Sequence, residues 1–157
     1  MIITLFPEGG YEIVQFSDDI SYILSKSHDN GAEFWATPDG NLMKGGPFST
    51  LEAAYILACL GCGASEPILA GAVERIWQAQ RADGRFSIMP KSSIFPCHTI
   101  HAAKTLCALG FADDPRLAAT LTHLLETQYA DGGWRCNKFF FGHGPETEAS
   151  NPGPTLT

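Results

Sequence analysis

The sequence predicts an all-α fold built from a repeated helical hairpin, and three observations carry the prediction. The stretch Gln128-Tyr129-Ala130-Asp131-Gly132-Gly133-Trp134 has a twin, Gln80-Arg81-Ala82-Asp83-Gly84-Arg85-Phe86, 48 residues earlier. The apolar series Leu69, Val73, Ile76, Trp77 returns as Leu117, Leu121, Leu124, Leu125, again displaced by 48 and again preceded by a proline, Pro67 or Pro115. Upstream, Thr50-x-x-Ala53-Ala54-x-x-Leu57-x-x-Leu60-Gly61 returns at an offset of 49 as Thr99-x-x-Ala102-Ala103-x-x-Leu106-x-x-Leu109-Gly110. Apolar residues three and four apart share one face of a helix. A repeat of about fifty residues marks an array of one supersecondary unit.

Taken in order, residues 1–16 alternate Ile2, Ile3, Leu5 and Phe6 with a Pro7-Glu8-Gly9-Gly10 turn, then Tyr11, Ile13, Val14 and Phe16; this reads as an arm or short hairpin. Ser17 is placed to cap a helix, with Asp18 and Asp19 near its positive end. That helix carries Ile20, Ile23 and Leu24 and ends near His28-Asp29-Asn30-Gly31. Pro38-Asp39-Gly40 is a turn signal, and reads as a worn repeat terminus with no glutamine in register before it.

The first clear unit opens at Ser49 or Thr50, where Glu52 completes a capping-box pattern. Gly61 and Gly110 suit left-handed caps at the ends of the two first helices. Pro67 and Pro115 sit in the first turns of the second helices, after Ser65-Glu66 and Asp113-Asp114. Asp-Gly then turns the chain at each repeat end. The alanine pairs let the first helices pack closely. The organisation expected is one domain over 1–157: an arm and degenerate repeat (1–48), repeats at 49–86 and 97–134, and a connection (135–157) leading toward a further repeat, with Thr155 placed like Thr50 and Thr99.

Gln-x-x-x-Gly-x-Trp at a repeat end resembles the QW motif of squalene and other triterpene cyclases, with related repeats in protein prenyltransferase β subunits. Gln128, Gly132 and Trp134 match it fully; Gln80, Gly84 and Phe86 match with Phe for Trp. The resemblance implies an α/α toroid of paired helices, of which this chain would form part. It implies that each glutamine bonds backbone at the end of a neighbouring helix and that the aromatic ring stacks on it. It also implies an isoprenoid chain as ligand, in an apolar groove to which Trp35, Phe139, Phe140 and Phe141 are assigned. The alternative is a non-catalytic repeat module that binds a partner protein, peptide or lipid. Because an uncapped array exposes the face meant for its neighbour, the expected partner is a second copy or the remainder of a toroid.

The catalytic groups of those families are not matched. The cyclase acid motif, Asp-x-Asp-Asp, lacks its leading residue at both Asp pairs, where Phe16 and Phe111 stand. Whether the chain is an enzyme is left open. Zinc is the one cofactor with candidate ligands, Cys97, His101, Cys136 and His143, because sulfur and imidazole donors suit that ion. Cys97 and His101, four apart, would share a helix face. Gly61-Cys62-Gly63-Ala64-Ser65-Glu66 is similar to the thioester sequence of complement proteins, but Ser65 occupies the position of the required glutamine.

Composition sets outer bounds. Ten basic and 17 acidic residues give a net charge of −7, which offers nucleic acid no electrostatic footing. No apolar run reaches the roughly 18 residues that a membrane span needs. The opening residues lack the basic start of a signal peptide. Five cysteines without such a signal point to free thiols in the cytoplasm. Cys59 and Cys107, set in helical patterns, are expected to be buried.

Overall fold

The computed structural model describes residues 16–136 and 149–155. They form six α-helices in the order α1 (Ser17–Ser25), α2 (Thr50–Cys59), α3 (Pro67–Gln78), α4 (Pro96–Leu106), α5 (Ala118–Glu126) and α6 (Pro152–Thr155). Among the described residues there is no β-strand, so the all-α expectation holds. Of the expected arm at 1–16, all but Phe16 lies outside them.

The helices are bounded by local chemistry. The end of α2 is a Schellman cap: Gly61 sits at φ 90°, its N–H donates to Ala58 O at 3.0 Å, and Cys62 N–H donates to Leu57 O at 2.9 Å. Past α4, residues Cys107–Phe111 form a widened turn, with Gly110 at φ 91°. A short 3-10 turn, Pro115–Leu117, opens α5, and Asp114 caps it by accepting from Arg116 N–H at 2.9 Å. Three boundaries differ from the sequence reading. Ser17 is the first helical residue of α1 rather than its cap, and Phe16 makes no side-chain capping bond. Helix α4 begins three residues before Thr99, because Pro96 supplies a pre-set first turn. The capping box at α2 is half made. Ser49 Oγ accepts from Glu52 N–H at 3.4 Å, but the Glu52 carboxylate turns to His101.

Helix α2 packs against α1, α3 and α4, and α4 against α2, α5 and α6. The first helices of successive units therefore lie side by side. Alanine makes this contact close: Ala53, Ala54, Ala102 and Ala103 are all buried. Leu51, Leu57, Leu69, Ile76, Phe86, Ile88, Leu106 and Leu117 fill the core around them. The stripe on α5 is only partly inside. Leu117 is buried, whereas Leu121 and Leu125 are 42% and 72% exposed, since no further element of the described chain covers that face.

The repeat ends share one loop. Thr37, Arg81 and Tyr129 N–H donate to the carbonyls of Asn41, Arg85 and Gly133 at 3.3, 2.8 and 2.9 Å. Gly40, Gly84 and Gly132 N–H return to Thr37, Arg81 and Tyr129 at 2.8, 2.9 and 2.9 Å, with φ of 78°, 82° and 83°. The worn terminus at Pro38-Asp39-Gly40 is thus a third copy of the loop, with Ala36 standing where Gln80 and Gln128 stand.

Gln80 reaches across to the next unit. Its Nε2 donates to Arg116 O at 2.8 Å and to Thr120 Oγ1 at 2.9 Å, and Thr120 donates onward to Gly84 O at 2.7 Å. Gly84 is required there: a Cβ would lie 2.5 Å from the backbone of Ala119. Phe86 pairs with Gln80 across the loop, is fully buried and lies against Trp77 with ring centroids 6.2 Å apart. Gln128 does otherwise, and donates to Gly132 O of its own loop at 2.7 Å. The described residues offer it no second helix of a following unit.

Candidate functional site

Two threonines at matching repeat positions lock the loop before them. Thr99 Oγ1 accepts from Phe86 N–H at 3.2 Å, and Thr155 Oγ1 accepts from Trp134 N–H at 3.0 Å. The start of α4, the loop at 80–86 and the loop at 128–134 thereby enclose a cavity of about 280 Å³, lined among others by Arg85, Phe95, His123, Tyr129, Trp134 and Arg135. Arg85 is held by Asp83 at 2.7 Å. That guanidinium, with the Arg85 N–H, keeps the Asp83 carboxyl below the usual carboxylate range.

Two of the four expected metal ligands come near each other beside this cavity. Cys97 occupies the second position of α4, and Cys136 is near enough to raise the pKa of its thiol. Burial pushes the Cys97 thiol up and the neighbouring thiol adds to that, while the N–H groups of Cys97 and His98 pull the other way. Asn151 clamps the Cys136 backbone, accepting from its N–H at 3.3 Å and donating to its carbonyl at 3.4 Å. His101 does not join the pair. One turn further along α4, it faces Glu52 of α2, and His143 lies outside the described residues. Among the described residues no three His, Cys, Asp or Glu side chains come together as a metal site.

A polar line runs between α2 and α4 instead. His101 Nε2 is 3.2 Å from Glu52 Oε1, yet their alignment makes no directed hydrogen bond. Burial drives the His101 pKa down; Glu52 opposes this and Lys104 reinforces it. The imidazole is thus neutral at pH 7, and the contact is not an ion pair there. Lys104 Nζ sits 4.3 Å above the Tyr55 ring, and the neighbouring Cys59 thiol raises the phenol pKa. Glu52, Tyr55 and Lys104 escaped the sequence reading because each is an ordinary polar residue on its own helix. Only the side-by-side register of α2 and α4 joins them. Cys59 and Cys107 are exposed, contrary to the sequence expectation, because they lie on faces of α2 and the following turn that nothing covers.

Of the aromatic residues assigned to a groove, Trp35 is fully buried, and its indole N–H donates to Ile23 O at 3.0 Å. It is a core anchor with φ 57°, next to Phe34 at φ 59°. Phe139, Phe140 and Phe141 lie outside the described residues. An apolar groove occurs elsewhere, between α1, α2 and α3. It measures about 390 Å³ and is lined by Ile20, Leu24, Leu57, Cys62, Ile68 and Leu69 among others. No described helix is long and apolar enough to cross a membrane. In comparisons with known proteins, no family model matches the chain and no curated protein matches it.

Proposed function

We propose that the chain is a segment of a QW-type α/α toroid, similar to squalene cyclases and prenyltransferase β subunits, and that it binds an isoprenoid-class apolar chain. The supporting observation is the Gln80 clasp onto Arg116 O and Thr120, which is the bond the motif implies between successive hairpins. The ligand is assigned to the groove between α1, α2 and α3, whose volume of about 390 Å³ falls in the ~300–1,000 Å³ range of small-molecule sites. No reaction is assigned, since the acid motif of the cyclases is unmatched. The test is calorimetry with farnesol and a squalene analogue. Saturable binding that is lost in Ile68→Asp supports the reading; no heat from a folded sample ends it.

A second reading, a repeat module that pairs with its own kind, is favoured by where apolar surface is left open. Among the described residues, the large exposed hydrophobic ones are Phe16 and Tyr22 at α1 and Leu121 and Leu125 on α5, the first and last long helices. Copies joined head to tail in a closed ring would cover both ends. Light scattering decides: Leu125→Asp should turn a dimer or larger assembly into monomer, and a wild-type monomer rejects this reading.

A further inference from the structure

We propose that the cavity between the 80–86 and 128–134 loops binds a small carboxylate with a flat aromatic body. It shares no lining residue with the groove of α1, α2 and α3, and the inference does not rest on the isoprenoid reading. The repeat supplies the first argument. The previous seam encloses a crevice of similar size, about 250 Å³, lined by Arg75, Ala79 and Ser87 among others. Displaced by 48, those positions become His123, Thr127 and Arg135, which line the cavity of about 280 Å³. A crevice at both seams is therefore a product of the fold, but its lining is not. Among the described residues the earlier crevice has no aromatic side chain, whereas the later one has Phe95, Tyr129 and Trp134. Phe86, the counterpart of Trp134, is fully buried, while Trp134 is half-buried at the cavity wall.

The side chains present suit one class of ligand. In a chain of net charge −7, Arg85 and Arg135 line the cavity and, among the described residues, no Asp or Glu does. Arg85 gives Nε and Nη2 to Asp83 Oδ2 at 2.9 and 2.7 Å, which orients the guanidinium and leaves Nη1 for a second anion. Guanidinium and carboxylate match each other in planar geometry. The indole N–H of Trp134 is spent on Leu124 O at 2.9 Å, so that ring is held in place and offers a ligand apolar surface rather than a donor. Phe95 and Tyr129 add further ring surface, against which a planar ligand can stack offset or edge on. A carboxylate on an aromatic ring uses both halves of this lining. A bare inorganic ion would leave the rings unused, and an uncharged ring would leave the guanidinium unused.

The test is calorimetry of the full chain with benzoate, benzyl alcohol and inorganic phosphate. Benzoate should bind saturably and phosphate should give no heat. Benzyl alcohol should bind more weakly by about tenfold or more, the factor that one charge-assisted hydrogen bond supplies. Arg85→Gln should weaken benzoate by a similar factor, while Arg75→Gln in the earlier crevice leaves the affinity unchanged. Arg85→Lys, which keeps the charge without the planar fork, is the second variant if glutamine disturbs the fold, as judged by circular dichroism. Nuclear magnetic resonance places the ligand: the indole N–H signal of Trp134 should move and those of Trp35 and Trp77 should not. No saturable binding by a folded sample, equal affinity for benzyl alcohol, binding of phosphate as tight as of benzoate, or unchanged affinity in the Arg85 variants would each overturn the proposal. So would loss of benzoate binding in Ile68→Asp, which would put the ligand in the other groove. A negative result with farnesol bears on the isoprenoid reading alone.

Discussion

Gln80 and Thr120 stand 40 positions apart in the chain and meet at 2.9 Å. The Thr120 hydroxyl accepts a hydrogen bond from the Gln80 amide and donates one to Gly84 O at 2.7 Å. One hydroxyl thus ties both the arm and the loop of one unit to the second helix of the next. Thr120 is fully buried, so its bond to Gly84 O is shielded from competing water.

Removing the arm should therefore cost more than removing its twin. Gln80→Ala loses both the Arg116 and Thr120 bonds and is expected to destabilise the chain by about 1–2 kcal/mol. Gln128→Ala loses one bond within an exposed loop and should stay within about 0.5 kcal/mol of wild type. Urea denaturation of both variants provides the comparison. Equal losses would show that the clasp between units contributes nothing.

The glycines separate in the same way. Gly132→Ala meets no neighbour and suffers only from its φ of 83°, about 1–2 kcal/mol. Gly84→Ala carries the same backbone cost at φ 82° and also drives a methyl to 2.5 Å from the Ala119 backbone. The forced shift adds roughly 1–3 kcal/mol. Thermal or urea melts should rank Gly84→Ala well below Gly132→Ala.

Stability should fall as acid charges His101. Its pKa in the fold lies below the ordinary 6.5, chiefly through burial, so the unfolded chain takes up the proton more readily. The stabilising contribution is complete above pH 6.5, declines as the pH drops below that value, and is gone once the pH passes the folded pKa. His101→Gln should flatten the stability profile just below pH 6.5. An unchanged slope in that variant would mean that other groups set it.

Two tryptophans should answer differently to Phe. Trp35→Phe leaves the Ile23 carbonyl without its indole donor and opens space in a fully buried site, at about 2–3 kcal/mol. Trp134 is half-buried, and Phe86 already fills the same place in the previous unit. Trp134→Phe, which gives up the bond to Leu124 O, should cost about 1 kcal/mol. Chemical denaturation checks the order.

The helical class, the loops and the Gly61 cap were legible because short-range patterns dictate them. Three-and-four spacing requires a helix face, and Asp-Gly requires a turn. The place of Thr155 in the repeat was legible too, since Thr50 and Thr99 stand at the matching positions, but its bond to Trp134 was not. The site was less so. Nothing along the chain says that Glu52 turns from its own cap to His101, or that Cys97 leaves its helix neighbour His101 and comes near Cys136. Those outcomes depend on how far α4 slides along α2 and where Asn151 holds the chain. Trp35 misled because a lone tryptophan beside a turn signal looks the same whether it faces outward or inward; its two left-handed neighbouring residues, Phe34 and Trp35 itself, fold it back under α1.

Ala36 occupies the place of Gln80 in the first loop and has no amide to extend. The seam between the first and second units therefore lacks a side-chain amide clasp and is held by packing and by the bonds of Thr50 Oγ1 to Phe34 O, Leu51 N–H to Leu42 O and Leu42 N–H to Ile88 O, at 2.8, 3.2 and 2.9 Å, whereas the seam at Gln80 is also pinned by the amide. Under a pulling force the two seams would part in sequence rather than together, with α1 peeling away first and the pair of pinned hairpins holding to a higher load.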